Sequence, residues 1–214
     1  GKTMLEHSIR HLVSHGFTDI IINLHHFPDQ VKHLLKEHNN FGAQITFSEE
    51  SDELLDTGGG LKKAGWFFAE VPFLVYNVDI FTNLNLNSFF QYHKDHNALA
   101  TLLVRERQSS RYLLFDEKNR LAGWENVKTG EKIITRNSDI YKRLAFGGIH
   151  AVHPSIFNDL PQKSVFSIIE AYLFLSKQHD IIGFIDNHSY WFDIGNIEKL
   201  ENARKFLRQS ESGK

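Results

Sequence analysis

Apolar residues recur at helical spacing in several stretches of the chain, and short apolar runs lie between these stretches. Leu5, Ile9 and Leu12 share one helix face, and Gly16 is well placed to end that helix. The helices predicted in this way cover residues 5–13, 28–35, 58–68, 86–96, 164–177 and 197–207. The apolar runs predict strands at 18–24, 44–47, 72–78, 98–104, 144–152, 181–185 and 190–194.

The order of these elements indicates the fold class. Strands that alternate with helices at this spacing are typical of βαβ units, which form parallel sheets with right-handed crossovers. The middle differs, because short strands at 112–115, 121–125 and 132–135 are separated by turns. We therefore predict an α/β fold with a Rossmann-like, mostly parallel sheet flanked by helices and a small antiparallel β insertion. No linker or repeat divides the chain, so we expect a single domain over residues 1–214.

One strand prediction is more specific. The run at 18–24 is rich in β-branched residues and has no polar alternation. Such a run is typical of a strand buried on both faces of a parallel sheet.

Composition narrows the classes of function. Of the 214 residues 41% are hydrophobic, which is enough for a sizeable core. The net charge is −2, so the chain lacks the excess of basic residues that is typical of nucleic-acid-binding proteins. The chain has no cysteine, which removes disulfides, zinc–thiolate sites and cysteine nucleophiles. We find no secretory signal and no apolar run long enough for a membrane span. We expect a soluble, cytoplasmic protein that binds neither nucleic acid nor membranes; the oligomeric state is open.

Two aspartates stand at the ends of apolar strands. Asp79 follows L-V-Y-N-V, and Asp193 follows Y-W-F just before a glycine turn. Ligands bind beyond the carboxyl ends of strands in open α/β sheets, and a buried carboxylate there needs a partner. Two carboxylates from distant strands suit Mg²⁺, which leaves its other positions to phosphate oxygens and water. The alternatives are that Asp79 caps the next loop and that Asp193 caps the last helix, although Asn196 suits the second role better.

Two glycine-rich segments are further candidates. D-T-G-G-G at 56–60 precedes a helical pattern, where glycines let a ligand approach the backbone and helix amides attract anions. It is neither a Walker A loop nor a G-x-G-x-x-G fingerprint, and a flexible turn is the equal alternative. F-G-G-I at 146–149 places two glycines inside an apolar strand. That pattern indicates a bulge, a ligand against the backbone, or tight packing.

The thirteen histidines do not form a recognisable metal motif. His7, His11 and His15 repeat every four residues, but the outer two would lie about 12 Å apart along a helix axis, too far for one ion to bind all three. No H-E-x-x-H pattern accompanies them, and the pairs at 93/96 and 150/153 lack a third ligand. We expect the histidines to be solvated surface residues.

Taken in order, these segments resemble the sugar-1-phosphate nucleotidylyltransferases. The opening G-K-T-M-L-E is similar to the family's G-K-P-(aliphatic)-(aliphatic)-E, and D-T-G-G-G is similar to its E-T-G-G-G. N-V-D at 77–79 resembles N-G-D, F-G-G-I resembles the sugar-facing strand, and W-F-D-I-G-N at 191–196 resembles W-x-D-x-G-T. The likeness is strongest to mannose-1-phosphate guanylyltransferase-like and N-acetylmuramate-1-phosphate uridylyltransferase-like members.

The resemblance implies transfer of a nucleotidyl group from a nucleoside triphosphate to a sugar 1-phosphate, with release of pyrophosphate. It implies Asp79 and Asp193 as the catalytic carboxylates and as the ligands of a Mg²⁺ cofactor. The residues that it places along the nucleotide and the sugar are Thr57, Gly58, Gly59, Asn77 and Gly148.

The chain also departs from the family pattern. Val78 replaces the usual glycine, and Glu125 is followed by asparagine where many relatives have a lysine near the sugar phosphate. The candidates to substitute for that lysine are Lys128, Lys132 and Lys142. The A-G-x-G-x-R…P-K loop and its strand, which grip the triphosphate in relatives, are not among these 214 residues, and we expect turnover to depend on them.

Two other functions stay open at this point. One is a metal-dependent glycosyltransferase that uses a nucleoside-diphosphate sugar, although the chain has no clear D-x-D motif. The other is a catalytically silent homologue that binds a nucleotide or a sugar. The sequence does not identify the base or the sugar.

Overall fold

A computed structural model describes residues 1–50 and 53–212 of the chain. Helices and strands alternate through much of this part. The α-helices are α1 (Met4–Ser14), α2 (Pro28–Glu37), α3 (Asp56–Lys63), α4 (Leu86–His96), α5 (Ile168–Leu175) and α6 (Ile197–Ser212). The strands are β1 (Asp19–Leu24), β2 (Gln44–Glu49), β3 (Phe73–Tyr76), β4 (Ile80–Thr82), β5 (Ala100–Arg105), β6 (Arg111–Phe115), β7 (Leu121–Asn126), β8 (Glu131–Ile134), β9 (Lys142–Val152), β10 (Ile181–Ile185) and β11 (Trp191–Asp193).

Polar side chains fix where several helices begin. Thr3 Oγ1 accepts a hydrogen bond from the amide of Glu6 at 3.1 Å at the start of α1. Asn85 Oδ1 accepts one from the amide of Ser88 at 2.9 Å at the start of α4. Each bond satisfies an amide that has no partner within its helix, which stabilises the helix by about 1 kcal/mol.

Helix α5 begins four residues later than the apolar pattern predicts. Ser167 caps it, and the preceding residues run as an irregular segment against α3. The carbonyl oxygen of Phe166 accepts hydrogen bonds from the amides of Gly58 at 2.9 Å and Gly59 at 3.2 Å. The pattern of 164–177 could not show this, because the partner lies far away in the sequence.

Strand β9 lies at the centre of the largest sheet. The strand order is β10-β5-β9-β6-β7-β8, and β3 also pairs with β9. The first residues of β9 pair with β6, as at Leu144 and Leu113, and its last residues pair with β3, as at Ile149 and Tyr76. Its other edge pairs with β5. Two smaller sheets, β1–β2 and β4–β11, complete the described part.

The predicted α/β class is confirmed, with an open central sheet flanked by helices and an antiparallel insertion formed by β6, β7 and β8. Parallel pairing is more limited than we predicted. Among the described residues, the parallel ladders are β1–β2 and β5–β10. The difference arises because β9 returns from the insertion into the middle of the sheet and runs antiparallel to β3, β5 and β6.

Apolar side chains cover both faces of the central sheet. On one face, α5 packs Tyr172 against a buried cluster that includes Leu102. On the other face, α1 and α4 contribute Leu12 and Phe89 to a cluster around Ile149. Full burial of one such aliphatic or aromatic side chain stabilises the fold by roughly 2 kcal/mol.

Strand β1 differs from the prediction that both of its faces are buried. Leu24 is buried, but the other residues of β1 are partly or largely exposed. In the described part of the chain β1 hydrogen-bonds to β2 alone, so no strand covers its second edge.

Two histidines predicted at the surface are instead buried. His93 and His150 are each 2% exposed, since α4 packs onto β5 and β9 is central. His93 Nδ1 bonds to the hydroxyl of Thr101 at 2.9 Å, and His150 Nδ1 bonds to the hydroxyl of Tyr172. Burial, with a smaller contribution from His153, lowers the pKa of His93 to about 4. Burial lowers the pKa of His150 to about 3.

We expect the free energy of unfolding to fall as the pH drops from about 7.5 to about 5. Below pH 6.5 the unfolded chain protonates these histidines while the folded chain does not, so protons favour unfolding. The loss at His150 should be roughly 2 kcal/mol at pH 5. Carboxylates with lowered pKa values lose their contribution mainly below about pH 5, at the acid end of this window.

Urea unfolding at several pH values measures this dependence. The variant His93→Gln should show a shallower fall than the unchanged protein, and the exposed His188→Gln should show the same fall. A pH dependence that is unaffected by His93→Gln would contradict the assignment of His93 as a neutral, buried group.

Candidate functional site

The structure brings Asp79 and Asp193 together. Asp79 lies in the turn between β3 and β4, and Asp193 is the last residue of β11. Strands β4 and β11 pair antiparallel, with Asp193 opposite Ile80. The amide of Ile194 donates to the carbonyl oxygen of Asp79 at 2.8 Å, which ties the two segments together just beyond the ladder.

The two carboxylates face a common space beside Gly195. A Cβ atom on Gly195 would lie 3.1 Å from Oδ1 of Asp193 and 3.9 Å from Oδ2 of Asp79. Burial, and then the negative charge of Asp193, raise the pKa of Asp79 above its ordinary value. No side chain in the described part of the chain donates a hydrogen bond to the Asp79 carboxylate. Asp79 is therefore a half-buried acid that repels its neighbour and has no cation of its own.

The pKa of Asp193 is shifted in the opposite direction from that of Asp79. Burial acts to raise its pKa, but hydrogen bonds from Lys199 and Gly195 and the charges of Lys199 and Arg107 together hold that pKa below its ordinary value. Lys199 Nζ lies 2.7 Å from Asp193 Oδ2, and the amide of Gly195 lies 3.0 Å from Oδ1. Asn196 Oδ1 accepts from the amide of Lys199 at 2.9 Å at the start of α6, so the capping role belongs to Asn196.

The F-G-G-I segment forms a bulge in β9, which was one of the three predicted alternatives. The register with β5 shifts between Leu102 and Val104, and Gly148 has a φ of +77°. We name residues 146–148 the glycine bulge. A Cβ on Gly148 would lie 2.6 Å from the Ile80 side chain, so tight packing also requires glycine there.

Three consecutive carbonyl oxygens of the glycine bulge hold groups of the site. The carbonyl of residue 146 accepts from Arg107 Nη2 at 3.2 Å. The carbonyl of residue 147 accepts from Trp191 Nε1 at 2.8 Å, and that of Gly148 accepts from the amide of Asn77 at 3.0 Å. The bulge thus fixes the segments that carry Asp79 and Asp193 relative to each other, and it brings Asn77 beside Gly148.

The D-T-G-G-G segment forms the first turns of α3. Thr57, Gly58 and Gly59 lie against residues 164–168, and Gly60 lies against Asn23 and Glu50. Thr57 Oγ1 accepts from the amide of Ile168 at 3.0 Å. A Cβ on Gly58 would lie 2.4 Å from the Phe166 ring, and one on Gly59 would lie 2.0 Å from the carbonyl oxygen of Ser164. Close packing therefore accounts for these glycines, and contact of Thr57, Gly58 and Gly59 with a nucleotide stays a prediction.

Two of the three lysines predicted as candidates for the sugar phosphate contact other side chains, and the third is exposed. Lys142 forms an ion pair with Glu106 at 2.6 Å, and Lys132 lies 5.3 Å from the Tyr141 ring centre. Lys128 is exposed in the turn after β7. The buried Glu125 pairs instead with Arg143, whose Nη2 donates to Glu125 Oε2 at 3.1 Å.

Sequence reasoning missed three residues of the site, namely Arg107, Trp191 and Lys199. Arg107 stands two residues after the carboxyl end of β5, and the strand-end rule that identified Asp79 applies to it equally. Arg107 was not predicted, because only acids and glycine-rich segments were expected to form the site. Nothing local marks Lys199, since its contact with Asp193 depends on how α6 packs.

The histidines of α1 also differ from the predicted solvated face. His11 Nε2 bonds to the carbonyl oxygen of Leu84 at 3.0 Å, and His15 Nδ1 bonds to that of His11 at 2.9 Å. Together with His7 they line a cavity of about 340 Å³ between α1 and β4. The described residues contain no group of three or more histidines or acids that could hold a metal ion.

Residues 1–121 match the family described as nucleotidyl transferase, which is more than half of the chain. The chain belongs to the nucleotidyl transferase family. This membership confirms the family predicted from the order of the motifs, and it places the chain in a family of enzymes.

Relatives and solved structures agree with this family. Mannose-1-phosphate guanyltransferase of Yarrowia lipolytica is 25% identical over 198 residues, which cover 91% of this chain and 52% of that protein. The chain thus spans about half the length of the curated relatives it matches. HddC from Yersinia pseudotuberculosis superimposes with a TM-score of 0.76 at 22% identity, covering 96% of this chain and 86% of HddC. UDP-glucose pyrophosphorylase complexed with UDP-glucose gives a TM-score of 0.73 at 13% identity, covering 97% and 88%. At such identities the structural likeness shows the fold.

Among the helices of the described residues, none is both long enough and apolar enough to cross a membrane. The cytoplasmic location stays a prediction.

Replacing Gly148 by alanine should destabilise the protein by about 3 kcal/mol, because backbone strain and a clash with Ile80 act together. Gly130→Ala is a matched control, since Gly130 has a φ of +78° but nothing lies within 4 Å of the added Cβ. The control should lose about 1 kcal/mol through backbone strain alone. Urea unfolding measures both losses, and equal losses would show that the contact with Ile80 does not require glycine.

Proposed function

We propose that this protein transfers a nucleotidyl group from a nucleoside triphosphate to a sugar 1-phosphate and releases pyrophosphate. The observation that carries the proposal is the pairing of β4 with β11, which puts Asp79 and Asp193 at one place beside Lys199 and Arg107. Family membership supports the class of reaction, and the similarity to mannose-1-phosphate guanyltransferases supports sugar phosphates as acceptors.

The acid pair fits a divalent cation. Asp79 forms no ion pair within residues 1–50 and 53–212, and its pKa is raised by burial and by Asp193, so a cation between the two acids would relieve both effects. The described part of the chain offers no third histidine or acid at this place. That donor set suits Mg²⁺, which takes one or two protein carboxylates and fills its remaining positions with water and phosphate oxygens. Asp79 and Asp193 would hold the ion, and its charge would stabilise the negative charge on the phosphoryl oxygens.

The reaction that we propose needs little from the protein beyond placement and charge. An oxygen of the sugar phosphate forms a bond to the α-phosphorus of the nucleotide, and the bond from that phosphorus to pyrophosphate breaks. Both reactants are anions, so the protein must hold them in line and offset their repulsion. Lys199 and Arg107 supply positive charge on the side of Asp193, and Lys199 also fixes the orientation of that carboxylate.

We expect Asp79→Asn and Asp193→Asn each to lower Mg²⁺-dependent pyrophosphate release by about 100-fold or more, because each removes one charge from the proposed ion site. Both variants should also lose binding of Mn²⁺, measured by electron paramagnetic resonance. The assay uses a chain that includes the triphosphate-gripping loop and its strand, because turnover is expected to depend on them. It pairs each common nucleoside triphosphate with mannose 1-phosphate or glucose 1-phosphate and follows pyrophosphate.

Asp95→Asn is the matched control, because Asp95 lies exposed on α4 and bonds to Gln91. It should keep both Mn²⁺ binding and pyrophosphate release. Near-normal release by a folded Asp79→Asn variant would overturn the assignment. Release of a nucleoside diphosphate from a sugar nucleotide, in place of pyrophosphate, would indicate a glycosyltransferase.

A further inference from the structure

Arg107 lies at the edge of the candidate site, just after the carboxyl end of β5. Its guanidinium carbon lies 4.5 Å from the ring centre of Trp191, which is the geometry of a cation–π contact. Nη2 donates to the carbonyl of the glycine bulge at residue 146, and Nη1 donates to the carbonyl of Gln108, both at 3.2 Å. The ring and the two carbonyls hold the guanidinium in one orientation.

Arg107 differs from the other basic residues around it because it has no carboxylate partner. Arg105 pairs with Asp186 at 2.8 Å, Lys142 with Glu106 at 2.6 Å, and Arg143 with Glu125. Lys199 pairs with Asp193. Arg107 forms no ion pair among the described residues, and its Nε is buried without a hydrogen-bond partner.

This arrangement is costly for a charged group. Burial lowers the pKa of Arg107, and Asp193 offsets that effect without direct contact. A guanidinium that is half buried and lacks an acid loses solvation that nothing in the protein fully replaces. Its five N–H donors are only partly used, by the two bonds to carbonyls. An anionic ligand would replace the solvation that the Arg107 guanidinium loses on burial.

A shallow cleft that is widely open to solvent lies beside Arg107. It has a volume of about 530 Å³, which is large enough for a sugar phosphate. Its lining residues are Glu106, Arg107, Gln108, Tyr112, Val127 and Arg143. Because Glu106 and Arg143 are each neutralised by a partner, Arg107 supplies the uncompensated charge of this cleft.

We propose that Arg107 binds the phosphate of the sugar substrate, and that the sugar itself lies in the cleft between Tyr112 and Arg143. This inference rests on the proposed function. A planar guanidinium can form two parallel hydrogen bonds to a phosphate, which selects phosphorylated sugars over neutral ones.

Isothermal titration calorimetry on the 214-residue chain tests the proposal with mannose 1-phosphate and glucose 1-phosphate, and with mannose, glucose and inorganic phosphate for comparison. Arg107→Gln should weaken binding of at least one sugar 1-phosphate by about 10- to 100-fold, because it removes a charged hydrogen-bond donor. Arg107→Lys should bind with intermediate affinity, since it keeps the charge without the planar group. Neither variant should change the affinity for the neutral sugars.

Arg111→Gln is the matched control, since it removes the same charge from an exposed residue of β6. It should leave the affinity unchanged. Thermal unfolding of each variant checks that the fold is retained, and Arg107→Lys provides a readout if Arg107→Gln does not fold. Equal affinity of Arg107→Gln and the unchanged protein would overturn the proposal, as would failure of the unchanged protein to bind either sugar phosphate at millimolar concentration.

The pyrophosphate assay separates this inference from the proposed function. If pyrophosphate is released and Arg107→Gln leaves the KM for the sugar phosphate unchanged, the role of Arg107 alone is wrong. If a chain that includes the triphosphate-gripping loop releases no pyrophosphate but sugar phosphate binding depends on Arg107, the anionic sugar site stands and the proposed reaction is wrong. The proposed reaction and the role of Arg107 are both supported if pyrophosphate is released and Arg107→Gln raises the KM for the sugar phosphate without changing the KM for the nucleotide.

Discussion

The backbone of the glycine bulge is the constraint on which the candidate site depends. At residues 146–148 the strand β9 leaves its regular register with β5, and three successive carbonyl oxygens turn to other partners. Those partners are Arg107, Trp191 and Asn77, which come from three distant parts of the chain. Because buried carbonyls must be paired, these three hydrogen bonds fix the positions of the segments that carry Arg107, Trp191 and Asn77.

The electrostatic consequence is a site with unequal acids. Asp193 is held ionised by Lys199, whereas burial and the nearby charge of Asp193 make ionisation of Asp79 less favourable. The β4–β11 ladder holds the two acids near each other despite this repulsion. Strain of this kind is typical of places where a cation or a charged substrate binds. Arg107, which has no ion-pair partner among the described residues, is the corresponding basic group of the site.

Glycine has two distinct physical roles in this protein. In α3, Gly58 and Gly59 let residues 164–166 approach the helix backbone, so close packing requires them. In β9, Gly148 is required by its backbone conformation as well as by the neighbouring Ile80. In the sequence both segments are runs of glycine, and the runs alone do not show which glycines are needed for packing and which for backbone conformation.

The sequence by itself determined most of the helices and strands, because apolar spacing is a local property; α4 at Leu86–His96 and β10 at Ile181–Ile185 lie where it predicts them. It also marked Asp79 and Asp193, since an acid that ends an apolar strand stands out without any partner. Tertiary structure alone decided that β9 runs antiparallel through the centre of the sheet and that Arg107 lies over Trp191. The physical reason is that strand pairing, burial and charge compensation depend on contacts between residues far apart in the chain, which local patterns do not encode.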